Sequence, residues 1–536
     1  MHTSTVAGGD EFEPDLVRAH FEQYCRDEGV ELEHFLRLGQ MERPDSSSPR
    51  FSMSTFAMRT SSHRNGVSRL HGMVCRSMWA GLWPYLPYQE VPIRSITNGV
   101  HLTTWLNRDL ARLYDDSLEP DWREHSVEAA TWEPINGIPD GELIELRDRA
   151  RRHLVEFVRA RQRSAAQRRL APAREIRDAG EVLDPKCLTI GYARRFATYK
   201  RGLLPFRDPE RMRRILTNTE MPVQMVVAGK AHPRDQAGKE LIRQIVAISR
   251  RLDVQNRIVF LEDYDLEVSQ NMVQGIDLWL TLSRRGSDAC GTSGIKAGIN
   301  GALNLGVLDG WFDEGFELSG GWAIGDREPY PEDDDEAHSN SIYTLLETEI
   351  VPMFYRDRVE WIRRVRQTLK GVSPRFSIAR ALREYSSVYE RANNSFSELM
   401  SDGCRTLRAR VQRMMRCAQA WDRVRLLKVA TPSDVMVGHS VKLRVTVDLA
   451  GLGPDDVRVE ALLGRVSLTG ELEETTALRL MPVEQADSAY AFETEVAPTQ
   501  TGRLGYACRM VANIFSDPFE QPSGTPVKWG DAIPQG

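Results

Sequence analysis

The stretch "GTSGIKAGINGAL", Gly291 to Leu303, sets small residues at what reads as a helix start and places a lone amine, Lys296, about one turn further in. Bare backbone at a helix N-terminus leaves N–H groups free to approach an anion, and the helix dipole favours negative charge there. Thr292 and Ser293 add hydroxyl donors. Taken alone, the stretch allows two readings, an anion seat or a capped helix with a surface lysine. It is not a Walker A loop, because the glycine–lysine order of that motif is missing. A second group, "ARRFATYKR" (Ala193–Arg201), crowds Arg194, Arg195, Lys200 and Arg201 together. A charge run is usually a solvated turn, but two basic loops on one sheet favour a dianion pocket. In "RRGSDACGT", Asp288 stands just ahead of the glycine loop, where a carboxylate suits sugar hydroxyls better than phosphate. Tyr264 in "FLEDYD" follows a strand-like run, a place where tyrosine ordinarily packs. A lysine beside a phosphate cradle suggests pyridoxal phosphate, with the amine forming the Schiff base. Other phosphate ligands satisfy the same chemistry.

The elements that must position these residues follow a regular rhythm after Pro185. "CLTIGYA", "VQMVVAGK", "RIVFLEDY" and "DLWLTL" read as strands. "YKRGLLPF", "GKELIRQIVAISRRL", "LEVSQNMVQ" and "GTSGIKAGINGAL" read as helices or helix starts between and after them. Such alternation predicts an α/β fold built on a doubly wound parallel sheet, with ligands off the carboxyl ends of its strands. All the polar clusters above fall in strand-to-helix loops. Upstream, Val67, Leu70, Val74, Met78 and Leu82 are spaced as on a helix, and Asn98–Gly99 marks a turn. Asp140 to about Arg174 predicts a long, Arg-rich, solvated helix with Leu154, Phe157 and Val158 turned inward. Its interleaved acids argue against a nucleic-acid arm. "PEDDDEA" (Pro331–Ala337) reads as an exposed acidic loop without function. Helical patterns run from about Asn340 to Leu427. Alternation then takes over in Val441, Leu443, Val445, Val447 and Leu449, and again in Tyr490, Phe492 and Val496, predicting a separate antiparallel, sandwich-like β module.

A chain of 536 residues is too long for one core, so two or three domains are expected. With 41% hydrophobic residues and a net charge of -6, it reads as a globular protein whose partner is not nucleic acid. No apolar run reaches membrane-spanning length, and "MHTSTVAGGDEFEPDL" lacks the pattern of a signal peptide. The seven cysteines are dispersed with no CxxC pair, which fits reduced thiols in a cytoplasm and offers no metal site.

Together "NGVSRLH", "TNGVHLTTWL", "ARRFATYKR", "VVAGKAHP", "FLEDYD" and "GTSGIKAGINGALNLGVLDG" resemble, in order, motifs of the α-glucan phosphorylases, glycosyltransferase family 35, in their shorter bacterial and archaeal branch. The resemblance covers residue 2 to about residue 390. The terminal β module resembles the extension of actinobacterial-type members. The family's fold is of the two-domain GT-B type. The resemblance implies phosphorolysis of α-1,4-glucan by inorganic phosphate to α-D-glucose 1-phosphate with retention, the pyridoxal phosphate 5′-phosphate acting as proton shuttle. It implies that Lys296 carries the cofactor, that Gly291, Thr292, Ser293 and Lys200 cradle its phosphate, and that Tyr264 lies beside it. Arg195 and Lys200 would bind the substrate phosphate. His2, Val67, Asn98, Asp288, Ala289, Cys290 and Gly291 would hold the glucosyl unit, His2 near the reacting centre.

Residue numbers 1–97 are then expected to be a remnant of the family's N-terminal domain, 98–390 the cofactor-binding domain, 391–428 a helical linker and 429–532 the β module. His2 stands second here, whereas the family places that motif far into its first domain. The chain is therefore expected to be an active phosphorylase, one half of a split one, or a non-catalytic fragment that binds cofactor or glucan. A homodimer or a separate N-terminal half is the expected protein partner. The family's "EASGT" is "DACGT" here, so Asp288 is one methylene shorter and Cys290 replaces a hydroxyl donor. A nucleotide-sugar glycosyltransferase of the same architecture is the competing enzyme class, and it would form no Schiff base.

Overall fold

A computed structural model describes residues 2–4, 9–41, 50–328, 334–430, 437–467, 470, 472–486, 489–497, 502–515 and 522–530. The chain divides into two compact units. The first holds the described residues of Met1–Gly8 with Asn65–Cys75 and Arg94–Ser387; the second holds those of Gly9–Arg64, Arg76–Ile93 and Val388–Gly536.

The first unit is built on six parallel strands: β1 (Leu188–Ala193), β2 (Val223–Ala228), β3 (Ile258–Leu261), β4 (Leu278–Thr281), β5 (Leu303–Val307) and β6 (Trp322–Ile324). Every residue of β1, β2, β4 and β5 is buried, as expected of parallel strands covered on both faces. The order across the sheet is β6-β5-β4-β1-β2-β3. The chain winds outward from β1 to β3, returns to the middle at β4 and winds the other way. The crevice at that reversal, off the carboxyl ends of β1 and β4, is where such sheets take ligands.

Helices cover both faces. α1 (Arg69–Met78) precedes the sheet, and α2 (Asp140–Arg168) crosses it. α3 (Pro209–Leu216), α4 (Gln236–Arg251) and α5 (Leu266–Gly275) begin at Asp208, Asp235 and Asp265, each of which accepts a hydrogen bond from a first-turn N–H. The helix expected at "YKRGLLPF" is not there. Arg201 adopts left-handed backbone (φ 49°), the chain makes two short 3₁₀ turns (Thr198–Lys200 and Leu204–Phe206), and the helix waits for Pro209. Likewise "GTSGIKAGINGAL" folds as a seven-residue helix, α6 (Thr292–Gly298), and Leu303 already starts β5. The long helix α2 is not simply solvated. Leu154 and Val158 pack inward as expected, and so do Arg147 and Arg151. Asp335, in the segment read as an idle acidic loop, opens α7 (Asp335–Leu345) and pairs with the buried Arg201 at 3.1 Å; Pro331, Glu332 and Asp333 lie outside the described residues.

The amino ends of β1, β4 and β5 are closed by an ionic knot. Asp277 accepts from the Thr189 N–H (3.0 Å) and from Arg151 (2.9 Å), with Arg147 at 3.8 Å. Arg147 also donates to the carbonyls of Gln274, Ile276 and Asn300. Both guanidiniums and the carboxylate are almost fully buried.

In the second unit, the helical run ends with α8 (Arg405–Ala420) and a 3₁₀ turn, and Arg425 already enters a strand. Seven antiparallel strands follow: β7 (Arg425–Ala430), β8 (Val441–Asp448), β9 (Val457–Val466), β10 (Leu472–Ala486), β11 (Ala489–Val496), β12 (Leu504–Ala512) and β13 (Val527–Trp529). They form one sheet, ordered β7-β8-β11-β10-β9-β12-β13. Strand β10 makes the sandwich-like form possible. Its first part, to Leu480, pairs with β9, and from Met481 it pairs with β11. Pro482, which has no N–H to give, sits at the register shift where the partner changes. The inner faces on both sides share one core, including Val445, Val447, Phe492, Leu480, Val459 and Met510. No helix among the described residues is long and apolar enough to cross a membrane.

Candidate active site

Three loops converge at the carboxyl ends of β1, β4 and β5. Directly after β1, Arg194 continues the ladder (its N–H donates to the Ala228 carbonyl, 3.2 Å) and turns a buried guanidinium into the crevice. It donates to Ser283 Oγ (2.7 Å) and to Asp288 Oδ2. The same carboxylate oxygen accepts from Ser283 Oγ (3.3 Å) and faces Lys200 Nζ (3.6 Å). Asp288 Oδ1 has no partner among the described residues. Burial pushes the Asp288 carboxyl up, but Arg194 and Lys200 outweigh it and hold it below its ordinary value. Burial, with Arg194 adding repulsion, lowers the Lys200 amine to about 8.

The loop that carries Asp288 is held from β5. Asp309, just past that strand, accepts from the N–H groups of Gly286 (2.9 Å), Asp288 (2.9 Å) and Gly310 (2.8 Å). Burial and the neighbouring Asp288 charge push Asp309 up to about 7. Gly310 (φ 57°) must be glycine, since a Cβ there would lie 2.4 Å from the Cys290 carbonyl oxygen. Gly291 is equally constrained: it caps α6 in left-handed backbone (φ 75°), and a Cβ would meet Arg194 at 2.7 Å. Cys290 is buried, and burial raises its thiol far above the ordinary range.

On α6, Ser293 Oγ is buried with no hydrogen-bond partner among the described residues. The Lys296 amine lies 3.7 Å from the centroid of the Trp105 ring, and no carboxylate among the described residues pairs with it. Burial lowers its pKa. Tyr264 joins none of these groups by a hydrogen bond. Its hydroxyl donates to Ser269 (3.0 Å), and its ring packs on the cluster that includes Ala297.

The remaining candidates come from the segment Asn65–Cys75 and its neighbours. Val67 is buried, and its carbonyl accepts from the Asn98 N–H (3.0 Å). Ser68 Oγ donates to the Ala289 carbonyl (2.8 Å), which ties this segment to the Asp288 loop. Glu314, buried, accepts from Thr97 Oγ1 (2.7 Å) and the Arg69 N–H (3.1 Å). His2 is exposed. Arg195 is exposed and unpaired among the described residues, so of two adjacent arginines it is Arg194 that the fold turns inward.

Comparison with known proteins accords with this geometry. The carbohydrate phosphorylase family matches residues 18–314, more than half of the chain. The chain belongs to the carbohydrate phosphorylase family. The family's glycogen phosphorylase C-terminal domain matches residues 421–517, the β module. Among relatives, the chain is 37% identical to the maltodextrin phosphorylase of Thermococcus litoralis over 466 residues, 86% of this chain and 54% of that protein. It is 34% identical to the glycogen phosphorylase of Mycobacterium tuberculosis over 535 residues, 95% of this chain and 60% of that protein. With the glycogen phosphorylase of Aquifex aeolicus the identity is 38% over 362 residues, 67% of this chain and 51% of that protein. This phosphorylase-family chain thus spans little more than half the length of the curated relatives it matches. Residues left without a role in the sequence are Ser283, Asp309, Glu314 and Trp105, while Arg194 reads there only as one member of a basic cluster. Asp309 had a readable signal, an Asp–Gly pair just past an apolar run; the other three become visible only through contacts distant in sequence.

Proposed function

We propose that this chain is an α-glucan phosphorylase, or the half of one that holds the cofactor. It would convert α-1,4-glucan and inorganic phosphate to α-D-glucose 1-phosphate with retention. The observation that carries the reading is the Lys296 amine, half-buried on Trp105 without a counter-ion, on the same short helix as the orphaned Ser293 hydroxyl. An amine whose charged form is disfavoured by burial is suited to carry an aldehyde. A buried hydroxyl without a partner is a donor waiting for a ligand. These residues fit pyridoxal phosphate. Lys296 would hold its aldehyde end, Gly291, Thr292, Ser293 and Lys200 its phosphate, and Tyr264 would stand beside it. When bound, the cofactor supplies a phosphate that exchanges a proton with the substrate phosphate.

The chain's own residues account for the rest. Two phosphates side by side repel strongly at low dielectric, and Arg195 and Lys200 supply the charge that offsets this. The inorganic phosphate protonates the departing glycosidic oxygen and adds to the anomeric carbon on the face just vacated, which gives retention. His2, Val67, Asn98, Ala289, Cys290 and Gly291 would line the glucosyl unit, and Asp288 Oδ1 is the acceptor left for a sugar hydroxyl. The division into 98–390 as cofactor domain, 391–428 as linker and 429–532 as accessory module belongs to the same reading, with 1–97 as a remnant of the N-terminal domain.

The deciding experiment incubates purified chain with pyridoxal phosphate, reduces it with borohydride and maps the labelled peptide. Label on Lys296 is expected; label elsewhere or none sinks the cofactor assignment. Assay of α-D-glucose 1-phosphate from maltoheptaose, with and without the N-terminal part of a relative, then separates an active chain from a half enzyme. Phosphate binding should also depend on pH in a defined direction. Lys200 attracts an anion only while protonated, so affinity for inorganic phosphate is expected to fall as pH rises through about 8. Titration calorimetry across that range checks this, and Lys200→Gln should flatten the profile.

A further inference from the structure

The glucosyl contacts proposed above come from chain segments far apart in sequence, and five consecutive residues, Val67–His71, touch all of them. The Val67 carbonyl holds the Asn98 N–H, Ser68 Oγ holds the Ala289 carbonyl, and the Arg69 N–H binds Glu314. At the centre is His71, with a relative exposure of 1%. Its Nδ1 lies 3.1 Å from the Val67 N–H, and its Nε2 lies 2.8 Å from the Thr3 carbonyl oxygen. Its own N–H donates to Ser68 Oγ (3.0 Å).

Cys75 Sγ also lies 3.3 Å from Nε2, where a sulfur can accept as well as donate. The two backbone contacts admit one protonation state. A backbone N–H can only donate, so Nδ1 must accept. A carbonyl oxygen can only accept, so Nε2 must carry the hydrogen. The ring is therefore neutral and in the Nε2–H tautomer, and a second proton on Nδ1 would face the Val67 N–H head on. Burial disfavours that proton as well. The imidazole works as a rigid spacer that fixes the distance between Val67 and the backbone next to His2.

We propose that His71 is a positioning residue of the glucosyl site, holding Val67 and the His2 segment as opposite walls through its two ring nitrogens. This rests on the phosphorylase reading. It goes beyond that reading in giving a buried side chain, which touches no substrate, control of sugar affinity and not of phosphate affinity.

Two measurements on the full chain test it. The first is the ¹⁵N spectrum of histidine-labelled protein at neutral pH, with His71→Gln to assign the signal. The Nε2–H tautomer is expected, and an Nδ1–H tautomer or a doubly protonated ring overturns the proposal. The second is calorimetric binding of D-glucose and of inorganic phosphate. His71→Ala should weaken glucose binding about tenfold and leave phosphate binding unchanged, since it removes one buried hydrogen-bonded spacer. His71→Asn, whose amide oxygen can replace the Nδ1 acceptor, should recover part of the loss. Wild-type protein that binds glucose, with His71→Ala binding it equally well, overturns the positioning role alone. Wild-type protein that binds no glucose overturns the assignment of a glucosyl site to this chain along with it. Equal loss of glucose and phosphate binding in His71→Ala would mean general unfolding of the site and would also overturn the specific role.

Discussion

Arg194→Met is expected to lower the unfolding free energy by about 3 kcal/mol, because it leaves the largely buried Asp288 carboxylate with only the more distant Lys200 amine and the Ser283 hydroxyl for partners. The size follows from asymmetry. Removing one member of a buried pair strands the other without solvent, whereas removing both can be nearly neutral. The double variant Arg194→Met with Asp288→Leu should therefore regain most of the stability. It should not regain phosphate or sugar binding, since both charges are gone from the crevice. Chemical denaturation of the single and double variants supplies the cycle. Additive losses would show that Arg194 and Asp288 are not coupled.

The other large effect lies at the opposite ends of the strands. Asp277→Ala takes a buried carboxylate away from Arg151 and Arg147, and the acceptor from the Thr189 N–H, in the knot that closes β1, β4 and β5, and should cost about 3 kcal/mol. Arg147 keeps its three carbonyl acceptors, and Arg151 keeps Asp148 and the Pro185 carbonyl (2.7 Å), so neither guanidinium is left without a partner. Asp277→Asn, which retains an oxygen for the Thr189 N–H, should lose less. Because the knot touches none of the candidate site residues, ligand affinity measured well below the melting temperature should stay at the wild-type value. A binding defect in Asp277→Ala would mean that the two ends of the sheet are coupled.

Much of the fold was legible because parallel strands buried on both faces leave unbroken apolar runs. "LTIGYA" and "VQMVVA" could be little else. The same property hid β5. "LNLGV" is an apolar run directly behind a helix, and periodicity cannot say where one ends and the other begins. Arg194 and Arg195 show the limit at the site. A strand without polar–apolar alternation gives no parity by which to tell inward from outward, so sequence could offer the pair but not choose. The family resemblance pointed to Arg195, while the fold buries Arg194 against Asp288. Arg147 and Arg151 escaped notice for a related reason. On a helix so rich in arginine, nothing marks the two whose carbonyl and carboxylate partners lie more than a hundred residues away.

The interleaving of the two units has a consequence for synthesis. The segment Asn65–Cys75 is flanked on both sides by chain that belongs with Val388–Gly536. Its partners are spread along the chain: His71 meets Thr3 and Val67 meets Asn98, but Ser68 meets Ala289 only across 221 positions. At ribosomal speed that interval alone lasts roughly 10–45 s. For all that time the side of the segment that meets Ala289 waits for its partner. Its two anchoring flanks remain unfinished until residues beyond Val388 have been added. The segment can therefore complete its packing only late in translation.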